Sequence, residues 1–226
     1  MVGDCDGGVP GEVGVSQQFP FYILAGGRSS RFGSDKATAD VTGQPQVVNL
    51  MAQLTRTGGP VHVVADHADR YQALDIPCVA DAIPGAGPLA GLVAALEHRL
   101  ENYGPGWLWL VPCDQLVWDP KWEPPLVAHT VRDCLVVCYG RNKPMESAAD
   151  LLSGEPLPAM YHTLLAELAA ENLMTSNRRS LHGLLRTVRV AIEPTDTPPT
   201  DFTFNTPAEL ARLIDPPSKP GNSNCR

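Results

Sequence analysis

Residues 22–36 read YILAGGRSSRFGSDK, an apolar run that breaks at the pair Gly26-Gly27. A strand that ends in glycines exposes backbone N–H groups, because no Cβ holds an anion away from them. Arg28, Arg31 and Lys36 add cations that form charge-assisted hydrogen bonds with phosphate oxygens. The stretch therefore predicts either a cradle for the phosphates of a nucleoside triphosphate or a strand followed by a solvated basic turn.

The length of the chain, 226 residues, suits one large α/β domain. We expect this domain at 19–215, between a glycine-rich disordered extension at 1–18 and a flexible tail at 216–226. The chain carries 17 basic and 25 acidic residues, for a net charge of −8. Because binding a nucleic-acid backbone needs a broad basic face, this balance argues against nucleic acid as a partner. The cations at 28–36 suit a small polyanion better.

The six cysteines form no CxxC pair and show no His/Cys spacing typical of a zinc site. We therefore expect thiols in a reducing cytosol rather than disulfides. No segment reaches the roughly 18 apolar residues of a membrane span. The N-terminus also lacks the basic and apolar regions of a signal peptide. These observations predict a soluble, cytoplasmic protein with no membrane partner.

Apolar runs and helical periodicity alternate along the chain. The predicted strands are 19–25, 61–65, 78–80, 106–112, 133–139 and 187–192, with a short edge strand at 157–161. The predicted helices are 45–57, 67–74, 92–100, 126–131, 161–171, 177–186 and a last one, capped by Thr206, that ends near Ile214. The alternation predicts an α/β fold, a three-layer α/β/α sandwich whose mostly parallel, doubly wound sheet is Rossmann-like.

Ligands of doubly wound sheets bind beyond the carboxyl ends of the strands. In this sequence those positions are 25–36, 65–66, 81–91 and 112–115, where glycines and aspartates fall. Asp114 follows the strongest predicted strand. Its carboxylate suits Mg²⁺ held mainly by substrate phosphates and water, although aspartate is also common as an N-cap or turn residue.

The other strand ends carry weaker signals, each with a structural alternative. Asp81 can bind a metal, a ribose or a base edge, or it can cap the next turn. Gly87 and Pro88 open a helix whose free N–H groups favour an anion or a base carbonyl, although a plain helix start fits equally. Lys36 can meet phosphate or lie at the surface. We expect Asn205 to make the turn into the last helix rather than to bind a ligand.

Taken together and in order, these residues resemble the molybdenum cofactor guanylyltransferases, nucleotidyltransferases that activate a phosphate with an NTP. The segment Leu24-Ala25-Gly26-Gly27-Arg28-x-x-Arg31-x-Gly33-x-Asp35-Lys36 is similar to the family's signature loop. The segment 87–91 resembles the second motif, and Pro112-Cys113-Asp114 resembles the metal motif. Later landmarks are similar at 155–161, 178–180 and 204–210. The likeness spans about 20–213.

The resemblance implies a nucleotidyltransferase fold, with transfer of GMP from GTP to the terminal phosphate of molybdopterin or Mo-molybdopterin and with Mg²⁺ as cofactor. The residues that it implies for nucleotide binding are Leu24, Ala25, Gly26, Gly27, Lys36, Asp81, Gly87 and Asp114. The residues that it implies for catalysis are Arg28, Arg31, Lys36 and Asp114, the last also as metal ligand. It further implies a molybdoenzyme or cofactor-handling protein as a partner.

The sequence departs from the family pattern at Gln44 and Gln46, where the resemblance implies a basic and an apolar residue, and also at 64–67 and at 143–155. Two other interpretations stay open. One is a cytidylyl or sugar-phosphate nucleotidyltransferase. The other is a non-catalytic nucleotide-binding partner that handles the cofactor or docks on a molybdoenzyme. The Gly26-Gly27 pair favours guanylyl transfer, because the cytidylyl relatives usually carry Ala-Ala-Gly there.

Overall fold

The computed structural model describes residues 18–26, 32–142, 154–175 and 180–215. The predicted extension, apart from Gln18, and the predicted tail at 216–226 lie outside these ranges. Three candidate site residues, Gly27, Arg28 and Arg31, also lie outside them.

Within the described ranges, nine strands form a seven-stranded central sheet and a small two-stranded ribbon. The strands are β1 (Phe21–Leu24), β2 (Asp40–Val41), β3 (Gln44–Pro45), β4 (Val61–Ala65), β5 (Cys78–Ala80), β6 (Trp107–Pro112), β7 (Val136–Arg141), β8 (Gly154–His162) and β9 (Val190–Thr195). The central sheet has the order β5-β4-β1-β6-β8-β7-β9, and β2 pairs with β3 in the ribbon. All pairings in the central sheet are parallel except those of β8, so the predicted mostly parallel sheet is confirmed.

Helices cover both faces of the sheet. They are α1 (Gln46–Thr55), α2 (Pro88–Tyr103), α3 (Glu123–His129), α4 (Ala166–Thr175), α5 (Leu181–Leu185) and α6 (Pro207–Ile214). Side chains of α2 and α4 form one apolar core with the sheet, and those of α1 and α3 form a second core on its other face. This arrangement confirms the predicted three-layer sandwich.

Strand β1 explains why the sheet is covered on both sides. Its four residues are all buried. Tyr22 and Leu24 belong to the core under α2, whereas Phe21 and Ile23 belong to the core under α1. A strand that is apolar at every position is stable only between two layers, since successive side chains point to opposite faces.

The prediction of a short edge strand at 157–161 is wrong in both length and place. Strand β8 is nine residues long and lies inside the sheet, between β6 and β7. Pro156 and Pro158 suggested an edge, since proline cannot donate to a strand ladder. The pairing of β8 with β6 begins only at Ala159, and its register with β7 shifts in the same region. Both prolines therefore fall where the ladder is interrupted.

The prediction of a helix at 67–74 is also wrong. Only a short 3-10 helix, Gln72–Leu74, forms there, and it ends at Asp75, which has a φ of 56°. So short a segment needs an apolar face against the core to become helical. Tyr71 is the one buried residue of the segment, which leaves no such face. The remaining elements differ from the predictions mainly at their ends; for example, β9 covers 190–195 rather than 187–192.

Strand order creates a crevice at one edge of the sheet. β4 and β6 lie on opposite sides of β1. The connection that leaves β1 and the connection that leads into β6 therefore lie apart from each other, and a gap opens beyond the carboxyl end of β1. Ligands of doubly wound folds bind at such a switch point. The residues that follow β1, β4, β5 and β6 all reach this edge, because the four strands are parallel.

In the part of the chain that the structure describes, no helix combines the length and the apolarity that crossing a bilayer requires. The four cysteines in that part, Cys78, Cys113, Cys134 and Cys138, are free thiols. Cys5 and Cys225 lie outside it.

Candidate active site

A cavity of about 260 Å³ lies at the carboxyl ends of β1 and β6. Its lining comes from six parts of the chain and consists of Leu24, Ala25, Gly26, Lys36, Asp81, Gly87, Pro88, Gly91, Pro112, Cys113, Asp114 and Leu157. Every described residue that the resemblance implies for nucleotide binding or catalysis is in this lining. Residues 65–66, which were also candidates, are not in it.

Lys36 and Asp114 form an ion pair at the cavity. The Lys36 ammonium nitrogen lies 2.9 Å from Oδ2 of Asp114, and their side chains are 13% and 19% exposed. The same nitrogen donates to Oδ1 of Asn205 at 2.8 Å. Lys36, the predicted phosphate-binding cation, is therefore held beside Asp114, the predicted metal ligand, and does not extend into solvent.

Asp35 places Lys36 at the cavity by capping the short 3-10 helix Lys36–Thr38. Its Oδ1 accepts from the backbone N–H of Ala37 at 3.0 Å, and Ala37 is fully buried. An aspartate N-cap satisfies a backbone donor that would otherwise lack a partner and fixes where the helix begins. Lys36 is the first residue of that helix, so its direction depends on the cap.

Asp114 is placed by the loop that leaves β6. The backbone N–H of Cys113 donates to the carbonyl oxygen of Leu24 at 3.1 Å, which extends the pairing of β1 and β6 beyond the strands. Gln46, fully buried at the start of α1, donates from Nε2 to the carbonyl oxygens of Cys113 and Gln115 at 3.1 and 2.7 Å. Sequence reasoning gave Gln46 no role. The available signal was a glutamine where the family pattern has an apolar residue.

Asp81 presents its carboxylate to the cavity between two glycines. Its backbone N–H donates to the carbonyl oxygen of Ala65 at 2.7 Å. A Cβ on Gly26 would lie 3.1 Å from Oδ2 of Asp81, and a Cβ on Gly91 would lie 3.3 Å from Oδ1. Glycine at both positions therefore gives the carboxylate room.

Burial, with the nearby charge of Asp66 as a second cause, raises the pKa of Asp81 to about 6. No hydrogen bond from another side chain reaches this carboxylate within the described ranges. By contrast, the Asp66 carboxylate accepts two hydrogen bonds from Arg70, at 3.0 and 2.9 Å. Within the described ranges, both oxygens of the Asp81 carboxylate are thus available to a ligand donor.

The start of α2 forms another wall of the cavity. Gly87 is its N-cap with a φ of 88°, a conformation that favours glycine, and Pro88 is the first helical residue. No side chain caps the first turn. Backbone N–H groups at the start of a sixteen-residue helix favour an anion or a carbonyl oxygen there.

Asn205 reaches the site through a backbone pairing far along the chain. The N–H of Leu116 donates to the carbonyl oxygen of Phe202 at 2.9 Å, and the N–H of Phe204 donates to that of Asp114 at 3.2 Å. The prediction that Asn205 only makes a turn is therefore incomplete. Its N–H donates to Glu209 at the start of α6, while its side chain binds Lys36.

The predicted cap of the last helix is confirmed. Oγ1 of Thr206 accepts from the N–H of Glu209 at 3.2 Å, and Pro207 is the first residue of α6. In the reciprocal bond the Glu209 carboxylate accepts from the N–H of Asn205, at 2.6 Å, rather than from that of Thr206. The cap therefore also orients Asn205.

Comparison with known proteins gives consistent matches. Residues 21–192 match the family described as the MobA-like NTP transferase domain. A molybdenum cofactor guanylyltransferase from Cupriavidus pinatubonensis is 39% identical over 95 residues, which are 41% of this chain and 46% of that protein. A probable molybdenum cofactor guanylyltransferase from Bacillus cereus is 30% identical over 172 residues, 72% of this chain and 77% of that protein. The match thus spans less than half the length of the Cupriavidus relative.

A solved structure has the same fold. It is the molybdopterin-guanine dinucleotide biosynthesis protein A from Archaeoglobus fulgidus, with a TM-score of 0.69 and 19% sequence identity. The superposition covers 87% of this chain and 97% of that one. At this identity the likeness speaks for the arrangement of strands and helices.

Proposed function

The chain belongs to the MobA-like NTP transferase family, and we propose that it transfers GMP from GTP to the terminal phosphate of molybdopterin or Mo-molybdopterin. An oxygen of that phosphate attacks the α-phosphorus of GTP. The bond from the α-phosphorus to the bridging oxygen of the β-phosphate breaks, and pyrophosphate leaves. The other product is the guanine dinucleotide of molybdopterin. The attacking phosphate is already an anion, so no general base is needed.

The observation that carries this proposal is the Lys36–Asp114 pair, 2.9 Å apart at the switch point between β1 and β6. Phosphoryl transfer depends on alignment and on neutralising charge around the transferred phosphorus. Lys36 supplies a point charge toward phosphate oxygens. Asp114 and Asn205 hold that charge at the cavity before substrate arrives. Arg28 and Arg31 are proposed to add positive charge from the signature loop.

The donor set at Asp114 fits Mg²⁺. Oδ2 accepts from Lys36, and no hydrogen bond from the described residues reaches Oδ1. No group of three or more His, Cys, Asp or Glu side chains in those residues is placed to hold a metal ion. A single carboxylate suits Mg²⁺, which usually takes most of its ligands from phosphates and water. When bound, the ion withdraws charge from the phosphate oxygens.

Asp81 supports guanine as the base. Guanine presents two adjacent N–H donors, at N1 and at its amino group, and a carboxylate accepts such a pair with its two oxygens. Cytosine presents only its amino group as donor on the same edge. Gly26 and Gly91 leave the Asp81 carboxylate room for a planar partner. The start of α2, which also lines the cavity, then faces the nucleotide.

The test is an assay of the full-length chain with molybdopterin, Mg²⁺ and either GTP or CTP. We expect GTP-dependent release of pyrophosphate together with the guanine dinucleotide, at a rate well above that with CTP. Equal or faster reaction with CTP overturns the guanylyl assignment. Release of pyrophosphate only with a sugar phosphate as acceptor overturns the pterin assignment.

Binding without turnover is the outcome expected of a cofactor-handling protein rather than an enzyme. Calorimetry with GTP and Mg²⁺, followed by the turnover assay, separates the two. A molybdoenzyme or cofactor-handling protein is the proposed recipient of the product. Binding of this recipient protein requires that the dinucleotide has already been formed, so this binding is tested after the turnover assay.

A further inference from the structure

The Tyr71 hydroxyl joins two points that lie near the two ends of the signature loop at 24–36. Its oxygen lies 3.0 Å from the carbonyl oxygen of Ala25, at the end of β1. It also lies 3.0 Å from Oδ2 of Asp35, ten residues further along the chain. Tyr71 itself is only 2% exposed, so solvent cannot easily replace either contact. One buried phenol thus connects the carboxyl end of β1 to the residue before Lys36.

Arg70 supports the same carboxylate from the other side. It donates to Oδ2 of Asp35 at 2.9 Å and to both oxygens of Asp66 at 3.0 and 2.9 Å. Its guanidinium also lies 5.9 Å from the centre of the Tyr71 ring. Asp66 directly follows β4, so these contacts tie Asp35 to the ends of two neighbouring strands.

The consequence for the cavity passes through Asp35. One of its oxygens caps the 3-10 helix that begins at Lys36, and the other is held by Arg70 and Tyr71. The direction of the Lys36 side chain therefore depends on where the Asp35 carboxylate is held. Lys36 in turn reaches Asp114 and Asn205.

We propose that Tyr71 is a positioning residue for nucleotidyl transfer, which acts through Asp35 to hold Lys36 at a fixed place relative to the carboxyl end of β1. This inference rests on the proposed function. Arg70 assists by holding the same carboxylate. Neither residue is among the described residues that line the cavity, so both are proposed to act through Asp35 rather than by contact with the nucleotide.

The protonation state of Tyr71 agrees with this role. Burial, followed by the charge of Asp35 and the hydrogen bond to it, raises the pKa of Tyr71 well above its ordinary value. The phenol therefore keeps its proton as a donor at neutral pH. The hydrogen bond to Asp35 also raises the pKa of Arg70, so the guanidinium stays charged.

The test compares Tyr71→Phe with Tyr139→Phe as a matched control. Tyr139 is 5% exposed, and its hydroxyl donates to the carbonyl oxygen of Trp122 at 2.8 Å, away from the cavity. We expect Tyr71→Phe to lower kcat by about 10- to 100-fold, as a misplaced charged group does. The KM for GTP should change by less than about threefold, because the lost effect acts mainly in the transition state. Tyr139→Phe should leave kcat unchanged.

A double-mutant cycle distinguishes the proposed positioning role of Tyr71 from a merely structural role. In a Lys36→Met background, adding Tyr71→Phe should change kcat by less than about twofold, since the two residues act as one unit. Independent, multiplying effects of the two substitutions overturn the inference, as does wild-type kcat in Tyr71→Phe. Should Tyr71→Phe fold poorly, Arg70→Lys serves as the second variant, with the same expected pattern.

Failure of the proposed function is distinguished from failure of the inference about Tyr71 by a separate observation. If the wild-type chain releases no pyrophosphate with any NTP, the proposed function falls. The inference is then judged on crystal structures of the wild type and of Tyr71→Phe. Retention of the 2.9 Å separation between Lys36 and Asp114 in the variant overturns the inference, and loss of that separation supports it.

Discussion

The side-chain amide nitrogen of Gln46 lies 2.7 Å from the carbonyl oxygen of Gln115, the residue after Asp114. It also lies 3.1 Å from the carbonyl oxygen of Cys113, the residue before it. One buried amide therefore holds the peptide groups on both sides of the proposed metal ligand. This relationship links the first turn of α1 to the geometry of the cavity.

Replacing Gln46 by leucine, the kind of residue that the family pattern has there, should destabilise this chain. One buried and one partly buried carbonyl oxygen lose a donor, which costs about 1–3 kcal/mol of the free energy of unfolding. Urea unfolding measures this loss, and kcat should fall as Asp114 gains freedom. The matched control is Gln44→Leu, two residues earlier and exposed, which should change neither quantity. Equal stability of the two variants would contradict the role of Gln46.

Asp114→Ala should abolish guanylyl transfer while the fold survives. The carboxylate holds Lys36 and is the proposed Mg²⁺ ligand, so its loss should lower kcat by at least about 100-fold. Its side chain is partly exposed, so the far-ultraviolet circular dichroism spectrum should stay unchanged. Asp133→Ala removes a carboxylate that is 78% exposed and serves as the control. Turnover near the wild-type rate in Asp114→Ala would remove Asp114 from the mechanism.

Asp81→Asn should make the protein more stable and less active. Because the pKa of Asp81 is raised to about 6, keeping its carboxylate ionised costs the folded state free energy. Stability that is present below about pH 4 is lost as the pH rises through 6, and asparagine avoids this loss. After allowance for solvent screening we expect a gain of about 1 kcal/mol at pH 8 and none at pH 4.

The same substitution should raise the KM for GTP, because asparagine offers one acceptor oxygen instead of two. In the wild type this KM should rise as the pH falls through about 6, and the variant should lack that dependence. Asp69→Asn, at a side chain 78% exposed, is the control. A lower stability of Asp81→Asn at pH 8 would contradict this account of the carboxylate.

His62 should make the protein sensitive to mild acid. Burial, and then the neighbouring His98 ring at 4.7 Å, lowers the pKa of His62 to about 4. The unfolded chain takes up this proton near the ordinary pKa of 6.5, so stability present above pH 6.5 is lost as the pH falls toward 4. His62→Gln should reduce that loss by about 1 kcal/mol after allowance for screening. Urea unfolding at pH 7 and pH 4.5 measures it.

The control for His62 is His182→Gln, which replaces an exposed histidine. It should leave the pH dependence of unfolding unchanged. An identical acid sensitivity in the wild type and His62→Gln would show that other groups cause it.

The parts of the site that follow directly from strand ends could be predicted from the sequence. The apolar run before Gly26 identifies a strand covered on both faces, and glycines or aspartates after such strands mark the ligand edge. Lys36, Asp81, Gly87 and Asp114 were placed in this way, and all four line one cavity. These signals are local, because each residue lies within a few positions of a strand or helix end.

The rest depends on pairings between distant parts of the chain. The two prolines of β8 indicate an edge when read locally, but the position of β8 between β6 and β7 is decided by partners elsewhere. The contact of Asn205 with Lys36 depends on the pairing of 114–116 with 202–204. Gln46 carries no local mark of its two carbonyl partners. The role of a polar residue at a buried helix start depends on the loop that packs against it, and the local sequence does not identify that loop.

The 169 positions between Lys36 and Asn205 have a consequence for the biosynthesis of the protein itself. Translation is directional, so β1, the 3-10 helix and Asp114 all leave the ribosome long before Asn205 is made. Domains often begin to fold as they emerge. A nascent chain in which β1, β4, β5 and β6 have formed still lacks Asn205, which accepts a hydrogen bond from Lys36. The finished site therefore appears only after Asn205 has been made, and products that terminate before this residue lack it.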